Sequence, residues 1–234
     1  MEFLQEKTAI ITGASSGIGQ AIAEKLAEKD AYVVLLARRE KKLAEIVTSI
    51  NENAGKTRAL AIRADVTNVT EMERAFQQAM DQFGAVDFLV NNAGIAANSS
   101  FIDGEVTEWG NMIDVNVKGV LHGIHTVLPH MLDRSSGHII NVASVSGFEV
   151  TKRSGVYSAT KFAVRALSMG LEKELARTGV RVTNISPGMV DTDLSSRANV
   201  DRKILQPEDI AEAVIYAVKQ PDYVNVNEIT VRPV

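Results

Sequence analysis

The sequence predicts an α/β fold in which a doubly wound, parallel sheet of seven strands is covered by helices on both faces. Three observations carry this prediction. Short apolar runs rich in β-branched residues alternate with helical patterns, the first run leads into a glycine-rich turn, and no repeat or low-complexity linker interrupts the chain. Strands that alternate with helices form parallel sheets, because each crossover helix returns the chain to the same edge. We therefore expect a single domain over residues 1–234.

The predicted elements follow one another in strict alternation. The strands cover residues 7–12, 32–37, 57–63, 86–90, 137–143, 180–186 and 227–232. The first helix shows an apolar residue every four positions, at Ile18, Ile22 and Leu26. The later helices begin near Arg39, cover residues 68–83, 107–134 and 157–177, and end with one that opens at Gln206-Pro207, where proline suits the first helical position.

Composition excludes several classes of protein. The chain is 45% hydrophobic and carries a net charge of −4 without a basic stripe, so nucleic acid is not an expected partner. It contains no cysteine, which excludes disulfides, thiolate catalysis and thiolate metal sites. No signal peptide is visible at the start, and no apolar run approaches the roughly 20 residues that a membrane-spanning helix needs. We expect a cytoplasmic protein with no membrane partner.

The first strand leads into the turn Gly13-Ala14-Ser15-Ser16-Gly17-Ile18-Gly19. Strand, glycine-rich turn and helix together predict the start of a dinucleotide-binding unit, because glycine lets backbone N–H groups approach a pyrophosphate at a helix N-terminus. The spacing is Gly-x-x-x-Gly-x-Gly rather than Gly-x-Gly-x-x-Gly. An ordinary turn with a helix cap is the alternative, and the flanking strand and helix disfavour it.

The second strand ends at Ala37-Arg38-Arg39, where an NAD-binding unit usually offers a carboxylate to the ribose 2′-hydroxyl. Guanidinium groups instead match a 2′-phosphate through charge-assisted hydrogen bonds. This favours NADP over NAD. The alternative is that the arginines merely begin a charged surface helix, which is more attractive for Arg39 than for Arg38.

Polar residues follow the third and fourth strands. Asp65 either caps the next helix or reaches an adenine amino group, and one oxygen is available for each role. Asn91-Asn92-Ala93-Gly94 suits close approach to a ligand at the carboxyl edge of a parallel sheet, or else forms a structural turn.

The fourth helix, with Thr107 as its predicted cap, contains Asn116 close to Gly119, a pairing that favours a local distortion. It also carries His122, His125 and His130 without a convincing carboxylate, so we expect surface or interface histidines and no metal site.

Tyr157 and Lys161 are four residues apart on the next predicted helix and therefore share one face. A cation beside a phenol lowers its pKa, so this pair predicts a tyrosine that exchanges a proton near neutral pH. Two serines, Ser144 and Ser146, follow the fifth strand, and either one could face the same pocket.

The ordered set of motifs resembles the short-chain dehydrogenase/reductase family over essentially the whole chain, which implies a Rossmann-type fold. The residues that carry the resemblance are Thr12 to Gly19, Asn91 to Gly94, Asn116, Ser144, Tyr157, Lys161, Pro187 and Gly188. The Arg38-Arg39 pair resembles the NADP-preferring subgroup, and the C-terminal residues 224–234 resemble the branch of serine and 3-hydroxy-acid dehydrogenases and clavulanate-type ketoreductases. The spacing of that family selects Ser144 over Ser146.

The resemblance implies four catalytic residues. Tyr157 would be the general acid or base, Lys161 would lower its pKa and bind the nicotinamide ribose, Ser144 would hold the substrate oxygen, and Asn116 would fix a water. The implied contacts with the phosphates and adenosine are Gly13, Ser15, Ser16, Gly17, Ile18, Gly19, Arg38, Arg39, Asp65 and Val66. The implied contacts with the ribose and nicotinamide are Asn91, Ala93, Gly94, Tyr157, Lys161, Pro187, Gly188, Val190 and Thr192.

The expected function is NADP(H)-dependent hydride transfer between the nicotinamide and a small secondary alcohol or carbonyl compound, such as a hydroxy acid, ketone or aldehyde. A short polar lid over residues 191–205 favours a small substrate, and Ser146, Phe148, Glu149 and Val150 would shape selectivity with it. The alternative is a regulatory protein that binds NADPH without turnover. Relatives commonly pair through the helices near 107–134 and 155–177, so a homodimer or homotetramer is expected.

Overall fold

The computed structural model describes residues 4–97, 100–102, 104–193 and 203–234. Seven parallel strands form one sheet in the order β3-β2-β1-β4-β5-β6-β7, which confirms the predicted fold class. The strands are β1 (Thr8–Thr12), β2 (Tyr32–Ala37), β3 (Ala59–Arg63), β4 (Phe88–Asn91), β5 (Gly137–Val142), β6 (Val180–Pro187) and β7 (Glu228–Val231).

The helices are α1 (Gly17–Glu28), α2 (Glu40–Ala54), α3 (Val69–Phe83), α4 (Val106–Ile113), α5 (Gly119–Asp133), α6 (Gly155–Glu174) and α7 (Pro207–Val218). A π-helical turn, Asp114–Lys118, joins α4 to α5, so the predicted long helix is continuous but locally widened. Its N-cap is Glu105, and the expectation that Thr107 caps it was wrong, because Thr107 already lies in the first turn. A 3₁₀ turn, Val145–Gly147, follows β5.

Neighbouring residues of the central strands enter different cores, because successive side chains point to opposite faces of a sheet. Ile11 and Leu35 pack in the core beneath α1, α2 and α7. Ile10 and Leu36 pack in the core beneath α3, α5 and α6. Burial on both faces explains why these strands read as continuous apolar runs rather than as alternating ones.

The strand order reverses between β1 and β4. From β1 the chain builds outward to β2 and β3, and from β4 it builds the other way to β7. Ligands of such sheets bind in the crevice at the carboxyl ends of the strands beside this switch point. Within the described part of the chain, no helix is long and apolar enough to cross a membrane.

Candidate active site

A cavity of about 740 Å³ opens at the carboxyl edge of the sheet, beside the switch point. It extends from the β1–α1 turn to the start of α6. The residues singled out from the sequence that line it are Gly13, Ser15, Ser16, Gly17, Ile18, Arg38, Arg39, Asp65, Val66, Ala93, Gly94, Ser144, Ser146, Tyr157, Lys161, Pro187, Gly188, Val190 and Thr192.

The glycine turn is shaped by close backbone packing. Gly13 has φ +65° and Gly17 has φ +55°, a left-handed conformation that side chains disfavour. A Cβ atom at Gly13 would lie 2.8 Å from Cα of Ala93, and one at Gly17 would lie 3.1 Å from Cγ2 of Thr192. The turn is therefore held between the end of β4 and the segment after β6, with its backbone open to the cavity.

Asn92 holds this turn in place; it belongs to the motif predicted after the fourth strand, but the sequence assigned it no contact of its own. Its side-chain amide donates to the carbonyl of Thr12 at 2.9 Å, and its backbone N–H donates to the Thr12 hydroxyl at 3.0 Å. A Cβ atom at Gly19 would lie 2.5 Å from the same Asn92 amide nitrogen. Gly19 thus serves close packing and does not line the cavity, in contrast to the phosphate contact expected for it.

Asn91 also lies away from the cavity, although it was expected to line the ribose. Its amide donates to Oδ1 of Asn141 on β5 at 2.9 Å, and the Asn141 amide donates to the Ser168 hydroxyl at 2.9 Å. All three side chains are buried between the sheet and α6. Asn91 is the last residue of β4 and still points into the core, whereas Asn92 is the first to leave the strand.

The two arginines lie differently at the far end of the cavity. Arg39 donates from Nε to the Ser15 hydroxyl at 3.0 Å and from Nη2 to the Ser16 hydroxyl at 2.5 Å. The Arg38 side chain is 66% exposed, and its Nη1 lies 3.9 Å from Oδ2 of Asp65. Arg39 is therefore the arginine fixed against the glycine turn, although the sequence favoured Arg38.

Asp65 is not the cap of α3, so that alternative was wrong. Its Oδ1 accepts from the backbone N–H of Thr67 at 3.0 Å and from the Thr67 hydroxyl at 2.8 Å, while Asn68 caps the helix. Burial acts to raise the pKa of Asp65, but the Thr67 hydrogen bonds and the charges of Arg38 and Arg63 outweigh it and hold this pKa below its ordinary value. Asp65 therefore presents a negative charge at the cavity wall.

At the opposite end, Ser144 connects β5 to the 3₁₀ turn. Its hydroxyl accepts from the N–H of Ser146 at 3.1 Å and lies 3.5 Å from the carbonyl of Pro187. Ser146 also lines the cavity, but the hydrogen bond that acts on the Tyr157 phenol comes from Ser144. The Ser144 side chain both caps its turn and reaches the phenol.

Tyr157 and Lys161 lie on one side of α6, as their spacing predicts. The Lys161 ammonium is 5.8 Å from the centre of the Tyr157 ring and donates to the carbonyl of Val142 at 3.0 Å. Burial lowers the pKa of Lys161 from 10.5 to about 8. The amine thus lies at the cavity floor, held by its hydrogen bond to the end of β5.

The expectation that Lys161 makes Tyr157 acidic does not hold for the protein by itself. Burial raises the pKa of Tyr157 above its ordinary value, and the hydrogen bond from Ser144 opposes this only in part. Desolvation wins because the phenol is enclosed while the amine is directed at the Val142 carbonyl. At neutral pH Tyr157 is therefore a protonated phenol.

Asn116 lies in the middle of the π-helical turn, where Gly119 led us to expect a distortion. Its side chain accepts from the N–H of Ile95 at 2.8 Å and donates to the Ile95 carbonyl at 2.9 Å and to the Thr160 hydroxyl at 3.0 Å. It joins the segment after β4 to α6, one residue before Lys161. Because both amide protons are engaged, the side chain acts as a brace rather than as a donor to water.

Two of the three histidines make hydrogen bonds within the chain that the sequence did not predict. Nδ1 of His122 contacts the carbonyl of Val66 at 2.8 Å, and Nε2 of His130 accepts from the N–H of Val86 at 3.3 Å. Both fix α5 against neighbouring strand ends. The His125 side chain is 66% exposed. Among the described residues, no cluster of three or more His, Asp or Glu side chains could hold a metal ion.

Of the four residues expected to shape selectivity beside the lid, Ser146 lines the cavity. Phe148, Glu149 and Val150 do not line the cavity, whereas the wall contains residues that the sequence reasoning missed, including Ile95, Ala96, Val145, Thr151 and Met189. Each lies one to six residues from a motif residue but carries no signature of its own.

Of the expected lid, residues 194–202 lie outside the described residues. At its base, Val190 pairs with Leu205, and the N–H of Asp191 donates to the Leu205 carbonyl at 2.8 Å.

Known proteins share this architecture. An uncharacterized oxidoreductase of Staphylococcus saprophyticus is 55% identical over 232 residues, which cover 99% of each chain. The closed form of serine dehydrogenase, complexed with NADP⁺, superimposes with a TM-score of 0.91 at 32% identity over 97% of this chain and 94% of that one. An alcohol dehydrogenase from Thermococcus sibiricus, complexed with 5-hydroxy-NADP, gives 0.89 at 31% identity over 97% and 96%. Together with the family model for short chain dehydrogenases, which matches residues 7–203, these relatives show that the chain belongs to the short-chain dehydrogenase family.

Proposed function

We propose that this protein is an NADP(H)-dependent oxidoreductase that interconverts a small secondary alcohol and its carbonyl compound, with Tyr157 as the proton donor and acceptor. The observation that carries the proposal is the meeting of Ser144, Tyr157 and Lys161 at one end of a cavity whose other end holds a glycine turn with Arg39 against it. Such a division suits a long cofactor that is bound at one end and reacts at the other.

The cavity fits a phosphorylated dinucleotide. The backbone of the glycine turn at the start of α1 suits a pyrophosphate, and Arg39 and Arg38 offer charge to a 2′-phosphate. Two of the solved relatives are complexed with NADP⁺ or a hydroxylated derivative of it. When bound, NADPH supplies the hydride, and the protein supplies position and proton control.

Tyr157 supplies the proton. Its raised pKa keeps the phenol protonated at neutral pH, which is the form needed to donate a proton to a carbonyl oxygen during reduction. We assign the hydroxyl of Ser144 the holding of that same oxygen, which is supported by its hydrogen bond to the phenol and its position in the cavity lining.

Lys161 and Asn116 are proposed to assist Tyr157. A Cβ atom at Gly94 would lie 3.5 Å from Oδ1 of Asn116 and 3.6 Å from Nζ of Lys161, so both polar groups border the same spot on the cavity floor. The Lys161 amine, with its pKa near 8, can gain or lose a proton close to neutral pH. We assign it the recharging of Tyr157, and we assign Asn116 the positioning of α6.

The reaction end favours a small, largely apolar substrate. Ile95, Ala96, Val145 and Met189 supply apolar wall, and the polar residue Thr151 also lines the cavity. A few polar groups within apolar surroundings are typical of sites that orient a small organic molecule.

The proposal is tested by oxidation of NADPH, followed by its absorbance, with a panel of small ketones, aldehydes and oxo acids. We expect turnover of at least one class, and Tyr157→Phe should lower kcat by about 10²–10⁴-fold, the usual range for a lost general acid. The dissociation constant of NADPH should stay unchanged, because the ring remains. Tyr216→Phe on α7 is the matched control, since that residue is 58% exposed and does not line the cavity.

Unchanged turnover in Tyr157→Phe would remove the assigned proton donor. A wild-type protein that binds NADPH tightly but reduces no compound of the panel would instead favour the regulatory alternative.

A symmetric homo-oligomer completes the proposal. Leu121 on α5 and Phe162 and Met169 on α6 are each more than 40% exposed, so these helices offer apolar side chains for contact between copies. Light scattering coupled to size-exclusion chromatography measures the number of subunits.

A further inference from the structure

We call the 3₁₀ turn Val145–Gly147, together with its cap Ser144, the serine turn. A cluster of side chains packs behind it and does not line the cavity. Arg165 of α6 has its guanidinium carbon 4.1 Å from the centre of the Phe148 ring. The same guanidinium donates to both carboxylate oxygens of Glu228, at 2.9 Å from Nε and 3.1 Å from Nη2. Arg165 is thus held between the loop after the serine turn and the first residue of β7. Stacking on one side and a bidentate pair on the other use the planar geometry that distinguishes arginine from lysine.

A second ion pair joins the same two regions. Nη2 of Arg232, just beyond β7, donates to Oε1 of Glu149 at 2.5 Å. Nearby, a Cβ atom at Gly188 would lie 3.0 Å from Cδ of Pro233, so the C-terminal residues also pack on the segment after β6. The C-terminal residues therefore contact Glu149 directly and Gly188 beside it, and they reach Phe148 through Arg165.

These contacts continue into the reaction end of the cavity. The backbone N–H groups of Phe148 and Glu149 both donate to the carbonyl of Val145, at 2.9 Å and 3.1 Å. Val145 and Ser146 line the cavity, and Ser144 caps their turn. A movement of Phe148 would therefore be transmitted to the hydroxyl of Ser144 through a turn of only three residues.

The other side of the turn is fixed by α6. A Cβ atom at Gly147 would lie 3.0 Å from the carbonyl oxygen of Lys161, so the turn packs on the helix backbone at the lysine itself. Arg165 follows Lys161 by one helical turn, as Lys161 follows Tyr157. One row of α6 thus presents the phenol, the amine and the guanidinium that holds the serine turn.

We propose that Arg165 is a positioning residue for the reduction step, acting through Phe148 on Ser144 and on the substrate-facing Val145 and Ser146. This inference rests on the proposed function. Both side chains of the Arg165–Glu228 pair are 30% exposed, and such pairs contribute little to global stability. A displacement of about 1 Å at a reacting group, in contrast, can lower the rate by about 10²-fold. Loss of Arg165 should consequently affect kcat more than folding.

The test compares Arg165→Ala and Arg165→Lys with the wild-type enzyme under saturating NADPH. We expect Arg165→Ala to lower kcat by about 10- to 100-fold and to raise the substrate KM, since a misplaced serine turn disturbs both orientation and contact. The dissociation constant of NADPH should change less than about twofold, because the contacts proposed for its phosphates lie at the other end of the cavity. Arg165→Lys keeps the charge but loses the fork and the stacking, and it should fall between the two.

Glu228→Gln provides an independent approach, since it weakens the bidentate pair and leaves Arg165 in place. Glu228→Gln should lower kcat by a smaller factor than Arg165→Ala does. Lys25→Ala is the matched control: it removes another partly exposed ion pair, to Glu212 at 2.8 Å, which joins α1 to α7 and involves no residue of the serine turn. We expect its kcat to remain at the wild-type level.

Three outcomes would overturn the inference. They are an unchanged kcat in Arg165→Ala, an equal loss of NADPH affinity in that variant, and a loss of kcat matched by a collapse of the melting temperature, which would mean general unfolding. A wild-type protein without any turnover refutes the proposed function instead and is recognised before the variants are compared.

Discussion

The two ends of the cavity are built by different physical means. At the end proposed for the cofactor phosphates, charged side chains are open to water: Arg38, Arg39 and Asp193 have side chains 66%, 52% and 85% exposed. At the reaction end, Lys161 is buried and the Tyr157 phenol is enclosed enough for its pKa to rise. The charges proposed to bind the phosphates are thus screened by water, whereas the groups proposed to move protons are largely shielded from it.

This difference sets the size of the effects that each end can produce. Interactions between exposed charges are weakened by solvent and salt, and single pairs typically contribute about 0–1 kcal/mol. Buried ionisable groups change their pKa instead, and a tenfold change in an acid dissociation constant corresponds to roughly 1.4 kcal/mol. Substitutions at the reaction end should therefore change turnover and pH dependence strongly, whereas those at the charged end should change affinity in smaller steps.

The largest effect is expected from Lys161→Met, which keeps the length of the side chain and removes the amine. We expect kcat to fall by about 10²–10⁴-fold, because the proposed route for recharging Tyr157 is lost. Lys173→Met on the exposed face of the same helix is the control, and its rate should match the wild type. Comparable rates in both variants would show that the buried amine takes no part in the reaction.

Lys161→Met is also expected to change how the free energy of unfolding depends on pH. At neutral pH Lys161 is charged in the folded and unfolded states alike, so the folded state carries the cost of a buried charge, about 3 kcal/mol for a pKa lowered from 10.5 to about 8. As the pH rises above about 8 the folded state loses this proton first, and the cost disappears by pH 10.5. Lys161→Met should thus be more stable than the wild type at neutral pH, with an advantage that shrinks through this window.

Urea unfolding at a series of pH values measures this difference directly. A stability difference that stays flat from neutral pH to pH 10.5 would mean that burial does not lower the pKa of Lys161.

An intermediate effect is expected from Arg39→Ala at the charged end. A hydrogen bond to a charged group is worth roughly 1.5–3 kcal/mol, so the dissociation constant of NADPH should rise about 10- to 100-fold. The constant for NADH should change far less, because NADH lacks the 2′-phosphate. Arg38→Ala is the matched comparison and should have the smaller effect, since Arg39 is fixed by Ser15 and Ser16 while Arg38 has a 3.9 Å contact with Asp65. Titration of each variant with NADPH and with NADH, followed by fluorescence, gives the four dissociation constants to compare with the wild type.

The sequence was sufficient for the features that depend on local pattern. The seven strands, the glycine turn and the shared face of Tyr157 and Lys161 follow from periodicity and spacing within one element. Local pattern did not show which of the adjacent residues Asn91 and Asn92 lines the cavity. The fourth strand was expected to end at Val90 and ends at Asn91, and a change of one residue exchanges core for cavity because side chains alternate.

The remaining differences arise from contacts between distant elements. Arg39 is the second residue after β2 and contacts Ser15 and Ser16, which lie 24 and 23 residues earlier, a pairing that no local spacing encodes. The raised pKa of Tyr157 likewise depends on how completely the fold encloses it. Sequence spacing placed the amine near the phenol, but it could not weigh the desolvation of one against the charge of the other.

The smallest expected effect is also the sharpest test of the charged end, because it predicts a gain. Oδ2 of Asp193 lies 3.7 Å from Nη1 of Arg39, the arginine proposed to hold the 2′-phosphate. A carboxylate there competes with the phosphate for the same guanidinium and repels it. Asp193→Asn should therefore tighten NADPH binding by about two- to fivefold, the factor expected for one exposed pair. NADH binding should not change, and the gain should shrink as salt is added. Asp191→Asn removes the same charge two residues earlier, where the side chain does not line the cavity, and should be neutral. Equal tightening of NADPH and NADH binding would show that Asp193 changes the overall charge near the cofactor rather than the binding of the 2′-phosphate. The proposed phosphate recognition at this end of the cavity would then not involve the Asp193–Arg39 pair.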